Sequence, residues 1–127
     1  MPHLTIEYSA NLAGRADIGA LCRVAHGALM DSGLFEPGAP RVRAIACADY
    51  AVADLHPANA FADLVLRMGA GRGEADRAAL GVRLTEVLEA FFAQELAGGH
   101  IALSLEIREI APGQSWKRNA IHRRLRG

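Results

Sequence analysis

In the opening stretch Met1-Pro2-His3-Leu4-Thr5-Ile6-Glu7-Tyr8, Pro2 stands directly behind the methionine and at the mouth of a strand-like run. Loss of Met1 would give Pro2 a free secondary amine, a compact base held rigid by its ring. While Met1 stays, that nitrogen is an amide without a basic lone pair. Proline also opens strands for a plain structural reason, because its missing N–H is tolerated at the first position. Position alone leaves both roles open.

Cations come next. Arg41 and Arg43 flank Val42, so a strand there sends both guanidinium groups to one face. A solvated pair is the ordinary outcome; an anion clamp is the functional one, since guanidinium pairs well with carboxylates. Gly69-Ala70-Gly71-Arg72-Gly73 is a tight turn, but Glu74 follows Gly73 where a phosphate loop needs Lys and a dinucleotide fingerprint needs Gly. Nucleotide binding is therefore disfavoured. Free N–H groups at a helix start, with Arg72 beside them, suit a carboxylate instead. The five histidines, His3 among them, show neither helical ligand spacing nor a Cys/His cluster, which argues against a metal site. Trp116 reads as a packing anchor, and Lys117, Arg118, Arg123, Arg124 and Arg126 read as a solvated basic tail.

These residues need elements to hold them. Leu4, Ile6 and Tyr8 alternate with polar neighbours, which is the pattern of a half-buried strand. Asn11 to Arg15 read as a loop. Asp17 is placed to cap a helix whose Ile18, Leu21, Cys22, Ala25 and Leu29 repeat at helical spacing, and Gly33 ends it. A second strand is expected over 44–50, led in by the two arginines, and a third over 61–68. A single long helix is expected from Glu74 to Leu96, followed by a fourth strand with Ile101, Leu103, Leu105 and Ile107 on one face. Two successive β-α-β units, about 1–57 and 58–110, with a tail at 111–127, imply one α/β (α+β) domain. Right-handed crossovers put both helices on one face of a four-stranded sheet. The strands look apolar on both faces, with Ile45, Cys47 and Val65 opposite the helices, so the bare face is expected to be covered by further copies of the chain.

Bulk composition fits a folded protein: 127 residues, 51% hydrophobic and 22% charged. Fourteen basic residues balance fourteen acidic ones, so no global field points to nucleic acid or a membrane. The first residues lack the basic-then-apolar pattern of a signal peptide, and Cys22 and Cys47 read as reduced thiols, which together suggest the cytoplasm.

Taken together, the Met-Pro-His start, the paired β-α-β halves, Arg41 and Arg43, the Gly-Ala-Gly-Arg turn, Leu103 to Ile107 and the Trp116-Lys117-x-Asn119 stretch resemble the tautomerase superfamily. Within it, the sequence is similar to the 5-carboxymethyl-2-hydroxymuconate Δ-isomerases over nearly its whole length. The resemblance implies a homotrimer with a barrel-like core of three sheets and helices outside. It implies Pro2, freed of Met1, as general base, with Arg41 and Arg72 as carboxylate-binding partners in catalysis. Arg43 and Trp116 are implied as substrate-binding residues. No metal or organic cofactor is implied.

The implied reaction is ketonisation of a polycarboxylate dienol by a 1,3- or 1,5-proton shift. An α-amine starts at about 7.7–8, and apolar surroundings and guanidinium charges both lower it towards neutrality, where a general base works best. Two other readings stay open. One is a tautomerase or dehalogenase-type member acting on a different 2-oxo or enol acid. The other is a non-catalytic oligomeric binding module, which retention of Met1 would favour.

Overall fold

Residues 1–127 are all described by the structure, a computed structural model. Alternating apolar residues build the strands β1 (His3–Ser9), β2 (Arg41–Cys47), β3 (Ala60–Gly69) and β4 (Ile101–Ile110). They form one sheet in the order β2-β1-β3-β4. β1 runs parallel to β2 and antiparallel to β3, and β3 runs parallel to β4. The first strand in the chain thus becomes a central strand.

Helix α1 (Ile18–Asp31) starts where the Asp17 carboxylate accepts the Ala20 N–H at 3.0 Å, and Gly33 takes up a left-handed φ of 72° just beyond its end. Helix α2 (Glu74–Phe91) has Glu74 and Asp76 in its first turn, where carboxylates offset the positive helix end. Leu21, Ala25 and Leu29 of α1 and Leu80, Leu84 and Leu88 of α2 pack with Leu4, Ile6, Leu64 and Leu66 into one buried cluster. Both helices therefore cover the same face of the sheet. Leu64, fully buried in the centre of this layer, gives a direct test. Leu64→Ala should cost about 2–5 kcal/mol in urea unfolding, whereas exposed Val82→Ala should stay within about 0.5 kcal/mol.

Four expectations need correcting. The long helix is broken at Phe92, whose ring turns fully into the core against Phe91 at 4.9 Å, and a short α3 (Ala93–Gly98) follows. The second strand begins earlier, so Arg41 and Arg43 lie within β2 because they pair with His3 and Thr5. The segment after β1 is a 3₁₀ turn, Ala10–Gly14, pinned by buried Leu12. The tail, read only as solvated, also folds: Asn119 accepts the Ile121 and His122 N–H groups and starts α4 (Ala120–Arg126).

The bare face also differs from its expected apolar character. Pairing register lines up Arg41, His3, Arg67 and Arg108 as one row across all four strands. Four residues further along the β1–β3 pair, Glu7 and Asp63 face each other. Ile45, Cys47 and Val65 do lie on this face, but as a minority among charges.

Candidate active site

Antiparallel pairing of β1 with β3 sets the geometry. His3 stands opposite Arg67, so the start of β1 lies beside the end of β3 and the turn that follows it. That turn uses Gly71 at φ 110°, a conformation other residues rarely adopt, and delivers Arg72 back towards Pro2. The Arg72 guanidinium donates to the Leu34 carbonyl through Nη2 at 2.9 Å and Nε at 3.3 Å, and to the Gly69 carbonyl at 3.3 Å. It also sits 4.7 Å from the centre of the Phe35 ring. No carboxylate lies within ion-pair distance of it. The group is held by neutral partners, so its full charge remains available to a ligand.

Met1, Pro2, Phe35, Arg72, Lys117 and Asn119 line a cavity of about 550 Å³, a size suited to a small molecule. Glu36, Ala39, His122, Arg123 and Arg126 complete its wall. The Met1 amine is pushed down from 8.0 to about 6, first by burial, then by a hydrogen bond and charge from Lys117, then by Arg72 and Arg41. Pro2 is buried, and its carbonyl accepts the Arg41 N–H at 3.1 Å, which fixes the start of β1 in the sheet. This end of the chain is thus surrounded by cations, in a setting that disfavours a charged amine. Such a site can accept a proton while binding an anionic substrate.

A groove of about 590 Å³ also runs between α2 and β4, lined by Val82, Leu105 and Ile107 among others. It contains neither an N-terminal amine nor Arg72, and its polar side chains Arg77, Glu86 and Glu89 are of mixed sign. Size alone does not make it the site.

The family described as 5-carboxymethyl-2-hydroxymuconate isomerase matches residues 2–125. The chain belongs to that isomerase family. It is 31% identical over 122 residues to a 5-carboxymethyl-2-hydroxymuconate Delta-isomerase of Escherichia coli, covering 96% of this chain and 97% of the relative. A crystal structure of a 5-carboxymethyl-2-hydroxymuconate isomerase from Deinococcus radiodurans R1 superposes with a TM-score of 0.92 at 40% identity, over 99% of this chain and 95% of that one. A fused 4-OT described as a symmetric trimer shares the tautomerase fold at a TM-score of 0.60 and 16% identity, over 91% and 93% of the two chains.

Within this isomerase fold the five candidate residues do not all converge. Pro2 and Arg72 share the cavity. Arg41 donates to the Ala39 carbonyl and acts on the amine through its charge, without lining the wall. Arg43 lies on the bare sheet face, 3.2 Å from His3 Nδ1. The His3 ring has its pKa lowered by burial, then by Arg67, Arg43 and Arg41. Trp116 is 83% exposed and contributes no wall within one chain. Its neighbour Lys117 does, which corrects the reading of Lys117, Arg123 and Arg126 as merely a solvated tail. Phe35, Glu36 and Asn119 were also missed as wall residues. For Asn119 a signal was present, a cap-type residue ahead of Ala120-Ile121. For Phe35 and Glu36 the local sequence offered none. No helix is long and apolar enough to cross a membrane.

Proposed function

We propose that the chain catalyses ketonisation of 5-carboxymethyl-2-hydroxymuconate, with Pro2 as general base once Met1 is removed. The observation that carries this reading is the cavity shared by Pro2 and the uncompensated Arg72, in which burial and nearby cations push down the adjoining Met1 amine. The amine takes the proton of the 2-hydroxyl group and the electron pair moves into the diene as a dienolate. The resulting ammonium returns the proton to a distant carbon, giving the conjugated oxo acid. Nothing is oxidised or reduced overall. Arg72 binds a carboxylate and stabilises the dienolate charge; Arg41 adds to the positive field. No cofactor has a role in this sequence.

Arg43 and Trp116 enter this reading only through assembly. We place the single 1–127 domain in a homotrimer, where residues pointing away from one chain's cavity meet a neighbouring chain. The bare sheet face and the trimeric neighbour of the same fold support that arrangement. The cytoplasm is the expected location.

Ultraviolet-monitored ketonisation of the muconate by the processed chain tests the proposal. The neutral amine is the active form, so kcat/KM should rise with pH through an apparent pKa clearly below the ordinary α-amine value of about 7.7–8 and level off above it. No turnover, or a pH-independent rate, would refute the assignment.

A further inference from the structure

The C-terminal segment brings further charges to the cavity, to which the proposed reaction assigns no carboxylate. Four side-chain cations line the wall, Arg72, Lys117, Arg123 and Arg126, against the single carboxylate of Glu36. Glu36 is already engaged: Arg126 grips it through Nε at 2.9 Å and Nη2 at 2.6 Å, and His122 lies 3.5 Å away. Lys117 and Arg123 have no acidic partner within ion-pair distance. Three cations are thus left uncompensated around one small cavity.

The segment that brings Lys117 and Arg123 is tied down. Asn119 Nδ2 donates to the Gly38 carbonyl at 3.0 Å while its Oδ1 caps α4. Gly38 is needed for that approach, because a Cβ there would lie 2.9 Å from His122 Nδ1 and 3.1 Å from the His122 backbone nitrogen. The Glu36–Arg126 fork fastens the far end of α4. Like charges gathered on an anchored wall without counter-charge favour a ligand bearing several negative groups.

We propose that Lys117 and Arg123, together with Arg72, select a tricarboxylate over a monocarboxylate, one cation for each carboxylate. The proposal rests on the muconate reading only for the identity of the natural tri-acid; the charge argument holds for any compact tricarboxylate. Lys117 and Arg123 are specificity determinants rather than proton carriers.

Citrate, a compact tricarboxylate, and sorbate, a conjugated monocarboxylate, are suitable calorimetric probes of the full chain. Lys117→Gln and Arg123→Gln should each weaken citrate binding about tenfold, as expected for one lost charge-assisted contact, and the double variant about a hundredfold. Sorbate should weaken by less than about threefold, because one carboxylate needs only Arg72. Lys117→Arg should restore citrate binding, which a purely structural role for Lys117 would not require. Far-ultraviolet melts of the variants check that α4 and the fold are retained. Absence of citrate binding to the wild-type chain would overturn the proposal, as would equal losses for both probes or an unchanged double variant. Citrate selectivity without muconate turnover would refute the proposed reaction and leave this inference standing. Muconate turnover with an unchanged KM in the double variant would refute this inference alone.

Discussion

Acetylation of Pro2 should reduce kcat for the muconate by about 10²–10⁴-fold, the usual worth of a positioned general base. Converting the nitrogen to an amide removes its lone pair while leaving Arg72 and the rest of the wall in place. Pro2→Ala is the gentler variant. Alanine is also small enough for Met1 removal, so a free amine survives, but a primary one without the ring that fixes its direction. A smaller loss in kcat, on the order of ten- to a hundredfold, is expected from that looser placement. Mass spectrometry must establish the N-terminal residue of each preparation, since a mixture would pass for a weak enzyme. Equal rates for blocked and free chains would exclude the amine from the chemistry.

Arg72→Ala should lower kcat/KM by about 10²–10³-fold, in line with the loss of one electrostatic donor to a developing oxyanion. Most of the effect should fall on KM, because the proposed role of Arg72 is to hold substrate as well as to stabilise charge. A second, independent readout follows from the electrostatics. Arg72 is among the charges that depress the Met1 amine, after burial and Lys117, and Pro2 lines the same cavity. Its removal should therefore shift the ascending limb of the pH profile to higher pH. Arg72→Lys separates charge from geometry. Lysine keeps a positive charge, but cannot bridge the Leu34 and Gly69 carbonyls or stack on Phe35 as the planar guanidinium does. Its pH profile should stay near that of the wild type while KM still rises. An unshifted limb in Arg72→Ala would contradict the spatial relation between the two groups.

How much of this was legible beforehand depends on the range of the forces involved. Leu4, Ile6 and Tyr8, and Ile101 to Ile107, declare their strands because alternation is a local property. Asp17 and Gly33 mark the limits of α1 in the same way. The nearness of Pro2 to Arg72 follows from the antiparallel pairing of β1 with β3, which neither strand declares by itself. The break at Phe92 was not legible, because nothing in its immediate neighbours announces that its ring will fill the core. Nor was the docking of the tail. Seven residues are too few for a helix to stand alone in water, and α4 is held by Asn119 to Gly38 and by Arg126 to Glu36, 81 and 90 residues away. The bare face was misjudged for a related reason. Its row of Arg41, His3, Arg67 and Arg108 exists only in the register of four strands from both halves of the chain.

Chain ends are ordinarily the first parts of a protein to fray. Here the end that carries the proposed base opens a central strand, with a neighbour on either side and its own carbonyl bonded to the Arg41 N–H. The ordering of that nitrogen is therefore achieved when the sheet forms and need not be repeated for each substrate molecule. Thermal loss of activity should accordingly track the melting of the whole sheet, with no earlier decline from a loosening terminus. Structural cooperativity and readiness for proton transfer become one property.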